Sequence, residues 1–138
     1  GYRNWATMKN IKKPTNWHLT NEAREIMNQL EKSKANMNAI QTAPLAISLI
    51  IQQKDRKHQK LNIEKSKTGK VHTGRYAEIP GIDNLGVAYR SVFKDSEPND
   101  IWLNIEKAIS VGISIIRDNY FDEDTGLIEW DKIAKDIK

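Results

Sequence analysis

The sequence predicts an all-α fold, a four-helix bundle with an extended N-terminal helix-turn-helix arm. Three observations predict it. Apolar residues recur at three- and four-residue spacing through most of the chain, most cleanly from Ile101 to Ile116. The dense apolar segments begin only after Gln41. Basic side chains gather early: 15 Lys/Arg stand against 5 Asp/Glu up to Arg75, then 7 against 13. With 138 residues the chain can bury one real core. The chain divides into residues 1–41, a helical arm, and 42–138, the bundle.

The elements follow in order. Tyr2, Trp5 and Met8 recur every three residues and share one side of a short helix, which Pro14 ends near Lys12 or Lys13. "TNWHLTNEAR" turns the chain, with Thr20 or Asn21 as N-cap and Glu22 favourable in the first turn. A polar helix then runs from about Asn21 to Gln41, carrying Ile26, Met27, Leu30, Met37 and Ile40 in a narrow stripe broken at Ser33 and Lys34. Pro44 starts a dense apolar helix through Leu45, Ile47, Leu49, Ile50 and Ile51. Residues 62–84 read as a long loop with a short extended piece between Val71 and Ile79. Asp83 caps a helix bearing Leu85, Ala88, Tyr89, Val92 and Phe93. Asn99 caps the next, with Ile101, Trp102, Ile105, Ala108, Ile109, Gly112, Ile115 and Ile116. "YFDEDTG" is a turn, and the last helix carries Leu127, Trp130, Ile133, Ala134 and Ile137.

Several chemistries are excluded or weak. The absence of cysteine removes disulfides, thiolate metal sites and cysteine nucleophiles. No segment reaches the roughly 18 apolar residues of a membrane span. "GKVHTGRY" has the glycine spacing of a phosphate loop but Arg75 and Tyr76 where Lys and Ser/Thr are needed. "DNYFDEDTG" places Glu123 where a calcium loop starting at Asp118 requires glycine. His18, His58 and His72 have no partner at helical metal spacing, so they make a zinc site only if folding converges them. No metal and no cofactor is expected. His72, Arg75 and Glu78 form a candidate nuclease set of base, phosphate clamp and second carboxylate.

The basic residues carry the strongest signal. Arg3, Lys9, Lys12 and Lys13 surround the first aromatic stretch. Arg24, Lys32 and Lys34 lie on the polar helix, Lys54, Arg56, Lys57 and Lys60 follow the apolar one, and Lys65, Lys67 and Lys70 occupy the loop. Phosphate contacts supply most sequence-independent affinity for nucleic acid. No zinc finger, basic zipper or RNA-binding aromatic signature accompanies them.

Three stretches bear a likeness to known proteins: "YRNWATMK", "QTAPLA" and the order of elements from Leu85 to Ile137, including "RDNYF". In these the chain resembles the coat proteins of filamentous and rod-shaped archaeal viruses, the lipothrixviruses and rudiviruses. That resemblance implies a non-enzymatic structural protein of the virion. Its protruding arm would wrap linear double-stranded DNA in an A-like form without reading sequence. Copies of the chain, or the chain and a related second coat protein, would pair and stack into a helical filament, in some members inside a lipid envelope. Arg3, Lys9, Lys12, Lys13, Arg24, Lys32 and Lys34 would meet phosphate, with Lys54, Arg56, Lys57 and Lys60 as further contacts. Trp5 and Trp17 would pack between subunits. Glu22, Glu25 and Glu31 on the proposed DNA helix depart from this scheme, and the long loop before Tyr76 has no counterpart. The alternatives are a toxin-like nuclease domain using His72 and Glu78, and a monomeric nucleic-acid-binding protein.

Overall fold

A computed structural model describes residues 11–56 and 61–137. The chain opens with strand β1 (Asn16–Leu19) and helix α1 (Asn21–Lys32), then helix α2 (Ala39–Arg56). A 3-10 turn at Ile63–Lys65 leads to strand β2 (Val71–Arg75) and a second such turn at Tyr76–Glu78. Helix α3 (Ile82–Val92) and helix α4 (Ile101–Tyr120) follow. A ribbon of β3 (Phe121–Asp122) and β4 (Leu127–Ile128) precedes the last helix, α5 (Trp130–Ile137).

The core is built around α4, whose residues from Asn104 to Ser110 are all buried. Helices α1, α2 and α3 pack on it, and β1 lies along its side. Helix α2 approaches most closely. A Cβ placed on Gly112 would lie 2.5 Å from the Ala46 carbonyl oxygen and 2.7 Å from its Cα, so only glycine permits this crossing.

The described chain is mostly helical, but two small antiparallel ribbons depart from the all-α expectation. "TNWHL" is a strand and not a turn. Its alternation puts Trp17 and Leu19 inward, both fully buried, and Asn16 and His18 outward. The expected helix over 21–41 is two helices. Thr20 Oγ1 accepts the Ala23 N–H and starts α1. Ser33 ends it, its hydroxyl donating to the Leu30 carbonyl at 2.8 Å, and Asn36 turns the chain at a φ of +48°. Asn38 and Gln41 then cap α2 reciprocally: Asn38 Oδ1 accepts the Gln41 N–H at 2.8 Å and Gln41 Oε1 accepts the Asn38 N–H at 3.2 Å. Pro44 therefore sits inside α2 and does not start it. The 41/42 boundary falls within this helix, and the described part of the proposed arm shares the core of the bundle. Ala23, Ile26, Met27 and Leu30 of α1 are buried in the same cluster as Ile105, Ile109 and Ile113 of α4.

The C-terminal ribbon is local in origin. Asp122 Oδ1 accepts the Asp124 N–H at 2.9 Å and the Asp122 carbonyl accepts the Gly126 N–H at 2.8 Å, with Gly126 at a φ of +72°. The acidic turn thus spends its leading carboxylate on its own backbone. Tyr120 fastens α4 to α5 by donating its hydroxyl to Asp136 Oδ2 at 2.6 Å. Burial first, then the Asp136 carboxylate, pushes this phenol up to about 12. The folded state therefore keeps a proton that the unfolded chain releases near pH ~10. The resulting stability is complete below that pH and is lost as pH rises toward about 12. Burial raises Tyr76 and Tyr89 in the same direction. We expect Tyr120→Phe to flatten the alkaline fall of the melting temperature in part, leaving the contributions of the other two phenols; an unchanged slope would show that this contact is not maintained.

Candidate active site

The strand pair β1–β2 assembles one cluster from three distant segments. Its register sets Asn16 against Arg75, Trp17 against Gly74, His18 against His72 and Leu19 against Val71. Thr73 is the extra residue of a bulge, which re-aims the strand at this point. The two imidazoles meet edge to face with ring centroids 5.7 Å apart. Both stand on the outward side of the ribbon, because Trp17 and Leu19 occupy the inward side.

Glu106 of α4 supplies the third member. Its Oε2 accepts the His18 backbone N–H at 2.8 Å and lies 3.1 Å from His18 Nδ1. The Glu106 side chain is only 9% exposed, whereas that of His18 is 37% exposed. A carboxylate facing Nδ1 assigns the ring proton to that nitrogen and leaves the Nε2 lone pair outward. Gly69 closes the arrangement. A Cβ there would lie 2.3 Å from the His18 carbonyl oxygen and 3.1 Å from Glu106 Oε1, so the absence of a side chain lets this loop lie against both.

The loop before β2 carries a set of cations and lies against β1 at Gly69 and Lys70. Lys107 Nζ donates to the Glu64 carbonyl at 2.8 Å, and the Lys70 N–H donates to the Leu19 carbonyl at 2.9 Å, so the loop is tied near both ends. Lys65, Lys67 and Lys70 are exposed along it. A groove of about 400 Å³ runs under Lys65 and Lys67 and is floored by Thr20, Ser110 and Ser114. Lys67 Nζ lies 3.0 Å from Glu22 Oε1. The Glu22 carboxyl is held below its ordinary value, first by its own backbone N–H at the start of α1 and then by Lys67. Tyr76 stands beneath the site, its hydroxyl donating to the Trp102 carbonyl at 3.0 Å.

The sequence-derived nuclease set is thereby revised. His72 is in the cluster, but Glu78 turns to Arg75, accepting its backbone N–H at 3.2 Å with the Arg75 Nε 3.5 Å away. The carboxylate in contact with an imidazole is Glu106, and that imidazole is His18. Among the described residues the proposed phosphate contacts do not gather on an arm. Lys13 bonds Asp83 Oδ1 at 2.7 Å, Arg24 bonds Glu31 Oε1 at 2.9 Å, and Lys54 Nζ lies 5.8 Å from the Phe93 ring centroid. Lys12 is exposed before β1, and Lys32 and Lys34 are exposed together at the end of α1. Trp17, expected at a subunit contact, is in the core with its ring over Gly74. Arg3, Trp5, Lys9, Lys57, His58, Lys60 and the side chain of Arg56 lie outside the described residues.

Sequence reasoning named His18 only among three scattered histidines that make a site if folding converges them, and did not single out Glu106. The available signal was a charged pair, Glu106–Lys107, set in the most regular apolar helix of the chain. Among the described residues no group of three or more His, Cys, Asp or Glu is placed to hold a metal ion. No described helix is long and apolar enough to cross a membrane. No protein-family model, no curated protein and no solved structure matches this chain.

Proposed function

We propose that the protein cleaves phosphodiester bonds in nucleic acid by general acid–base catalysis at His18 and His72. One observation carries the reading: a half-exposed imidazole is held by a buried carboxylate on one side and faces a second imidazole on the other. A base whose tautomer is fixed from behind, with an acid across from it, is what proton removal and proton return during phosphoryl transfer require. Glu106 is the positioning residue for His18. Lys65 and Lys70, with Lys67 once drawn away from Glu22, support the choice of a polyanionic substrate, since they would hold neighbouring phosphates of the same strand.

In the mechanism His18 Nε2 takes the proton of the attacking hydroxyl and His72 delivers one to the leaving oxygen. Two imidazoles with opposite proton tasks give a bell-shaped dependence of rate on pH. His18→Ala and His72→Ala are each expected to lower kcat on labelled oligonucleotides by a factor of about 10² to 10⁴, with the thermal melt retained. Oligonucleotide turnover that is untouched by both substitutions would overturn the reading. Filaments or protected long duplexes, formed equally well by His72→Ala and without cleavage, would favour the coat function that the sequence resemblance implies.

A further inference from the structure

We infer that the substrate is RNA and that its own 2′-hydroxyl is the nucleophile, a conclusion that rests on the acid–base reading above. The cluster supplies a base and an acid but no attacking group. The hydroxyls nearest to it are engaged with the backbone. Thr73 Oγ1 donates to the Val71 carbonyl at 2.9 Å, Thr20 Oγ1 accepts the Ala23 N–H at 3.1 Å, and Ser110 Oγ accepts the Thr20 N–H at 3.2 Å. The nucleophile must therefore arrive with the substrate or from solvent.

The geometry favours arrival with the substrate. His18 and His72 stand on the outer face of a two-stranded ribbon, with His72 exposed and His18 half exposed, so the site does not enclose and aim a lone water. A ribose 2′-hydroxyl needs no such aiming. It is already fixed beside the 3′-phosphorus, and well-oriented intramolecular attack reaches effective concentrations of about 10⁵ to 10⁸ M. An open site that supplies only proton transfer is sufficient for that reaction and poorly equipped for hydrolysis of DNA. The lysine loop adds the second half of the argument. Lys70 lies two residues before His72, and its backbone is bonded to Leu19, the neighbour of His18. A strand whose scissile phosphate lies across the outer edges of the two touching imidazoles would run its adjoining phosphates past Lys70 toward Lys67 and Lys65.

The step balances within the substrate. His18 removes the 2′-hydroxyl proton, the 2′-oxygen forms a bond to phosphorus, and the bond from phosphorus to the 5′-oxygen breaks. Protonated His72 donates its proton to that leaving oxygen. The products are a 2′,3′-cyclic phosphate end and a 5′-hydroxyl end, with no water consumed and no co-reactant.

The test uses the full chain and a panel of end-labelled DNA strands, each carrying one ribonucleotide of a given base, beside all-DNA strands and strands with that ribose 2′-O-methylated. All are offered single-stranded and as duplexes, together with a mixed-sequence RNA. The expected result is cleavage only on the 3′ side of an unmodified ribonucleotide. The product should have the mass of the cyclic phosphate, and both His18→Ala and His72→Ala should suppress it. Replacing Lys65, Lys67 and Lys70 by Ala should raise KM about tenfold while leaving kcat near its original value, and should flatten the salt dependence of KM. Cleavage of the all-DNA or 2′-O-methyl strands at comparable rates would overturn this inference and leave the acid–base reading standing. So would products with a 5′-phosphate carrying oxygen from solvent. Failure of the unmodified protein to cut any strand, the RNA included, would overturn both.

Discussion

Gly112→Ala is expected to lower the melting temperature by about 8 °C. The added methyl would fall 2.5 Å from the Ala46 carbonyl oxygen and 2.7 Å from its Cα and Cβ. None of these atoms belongs to a long side chain that could swing away. Relief requires α2 and α4 to separate, which thins the packing of Ile47, Ile50, Ile109 and Ile113, all fully buried. Overpacking of this kind costs about 3 kcal/mol at the upper end of its usual range. The better helix propensity of alanine returns about 1 kcal/mol. The balance, about 2 kcal/mol, corresponds to about 8 °C for a domain of this size. A calorimetric or circular-dichroism melt checks it. An unchanged midpoint would mean that the two central helices do not cross as closely as described. Gly112→Leu, with a longer side chain on the same line, is expected to prevent folding.

Glu106→Gln is expected to reduce kcat by a factor of about 10² to 10⁴ with little change in KM or in the melt. Glutamine keeps the volume and one oxygen acceptor, so it can still receive the His18 backbone N–H, which Glu106 holds at 2.8 Å. What disappears is the negative charge behind the ring. The imidazolium that forms when His18 takes a proton then has no counter-charge 3.1 Å away. A purely structural Glu106 would not lower kcat while sparing both KM and the melt. Glu106→Ala separates the two roles further: it leaves the part-buried His18 N–H without its acceptor and should cost about 1 kcal/mol of stability as well as activity. If Glu106→Gln turns over substrate like the parent with the same profile, the carboxylate has no part in proton transfer.

The long apolar helices were legible in the sequence because each repeats its pattern over several turns. Ile101, Trp102, Ile105, Ala108, Ile109 and Ile116 all proved buried. The first ribbon was not legible. β1 has four residues, too few for alternation to stand out, and its partner begins 52 positions after its last residue. Trp17 illustrates the consequence. Beside so many lysines it suggested a surface grip, yet strand geometry sends it inward with Leu19. The break between α1 and α2 had a visible sign in the polar Ser33–Lys34 gap, but Pro44 offered a stronger and misleading start signal. The Asn38–Gln41 cap made that proline an interior residue. Of the site, His72 was readable, since it lies in an exposed stretch rich in cations. His18 and Glu106 join it only through the β1–β2 register and the packing of β1 on α4, neither of which local sequence encodes.

The carboxylate that orients His18 lies 88 residues after it. A growing polypeptide that has emerged only as far as α3 already holds both imidazoles, but nothing fixes their protons or closes the core beneath them. Enzymatic competence on this reading comes only when α4 clears the exit tunnel. A ribosome making such a protein would be shielded from its nascent product until that helix has emerged.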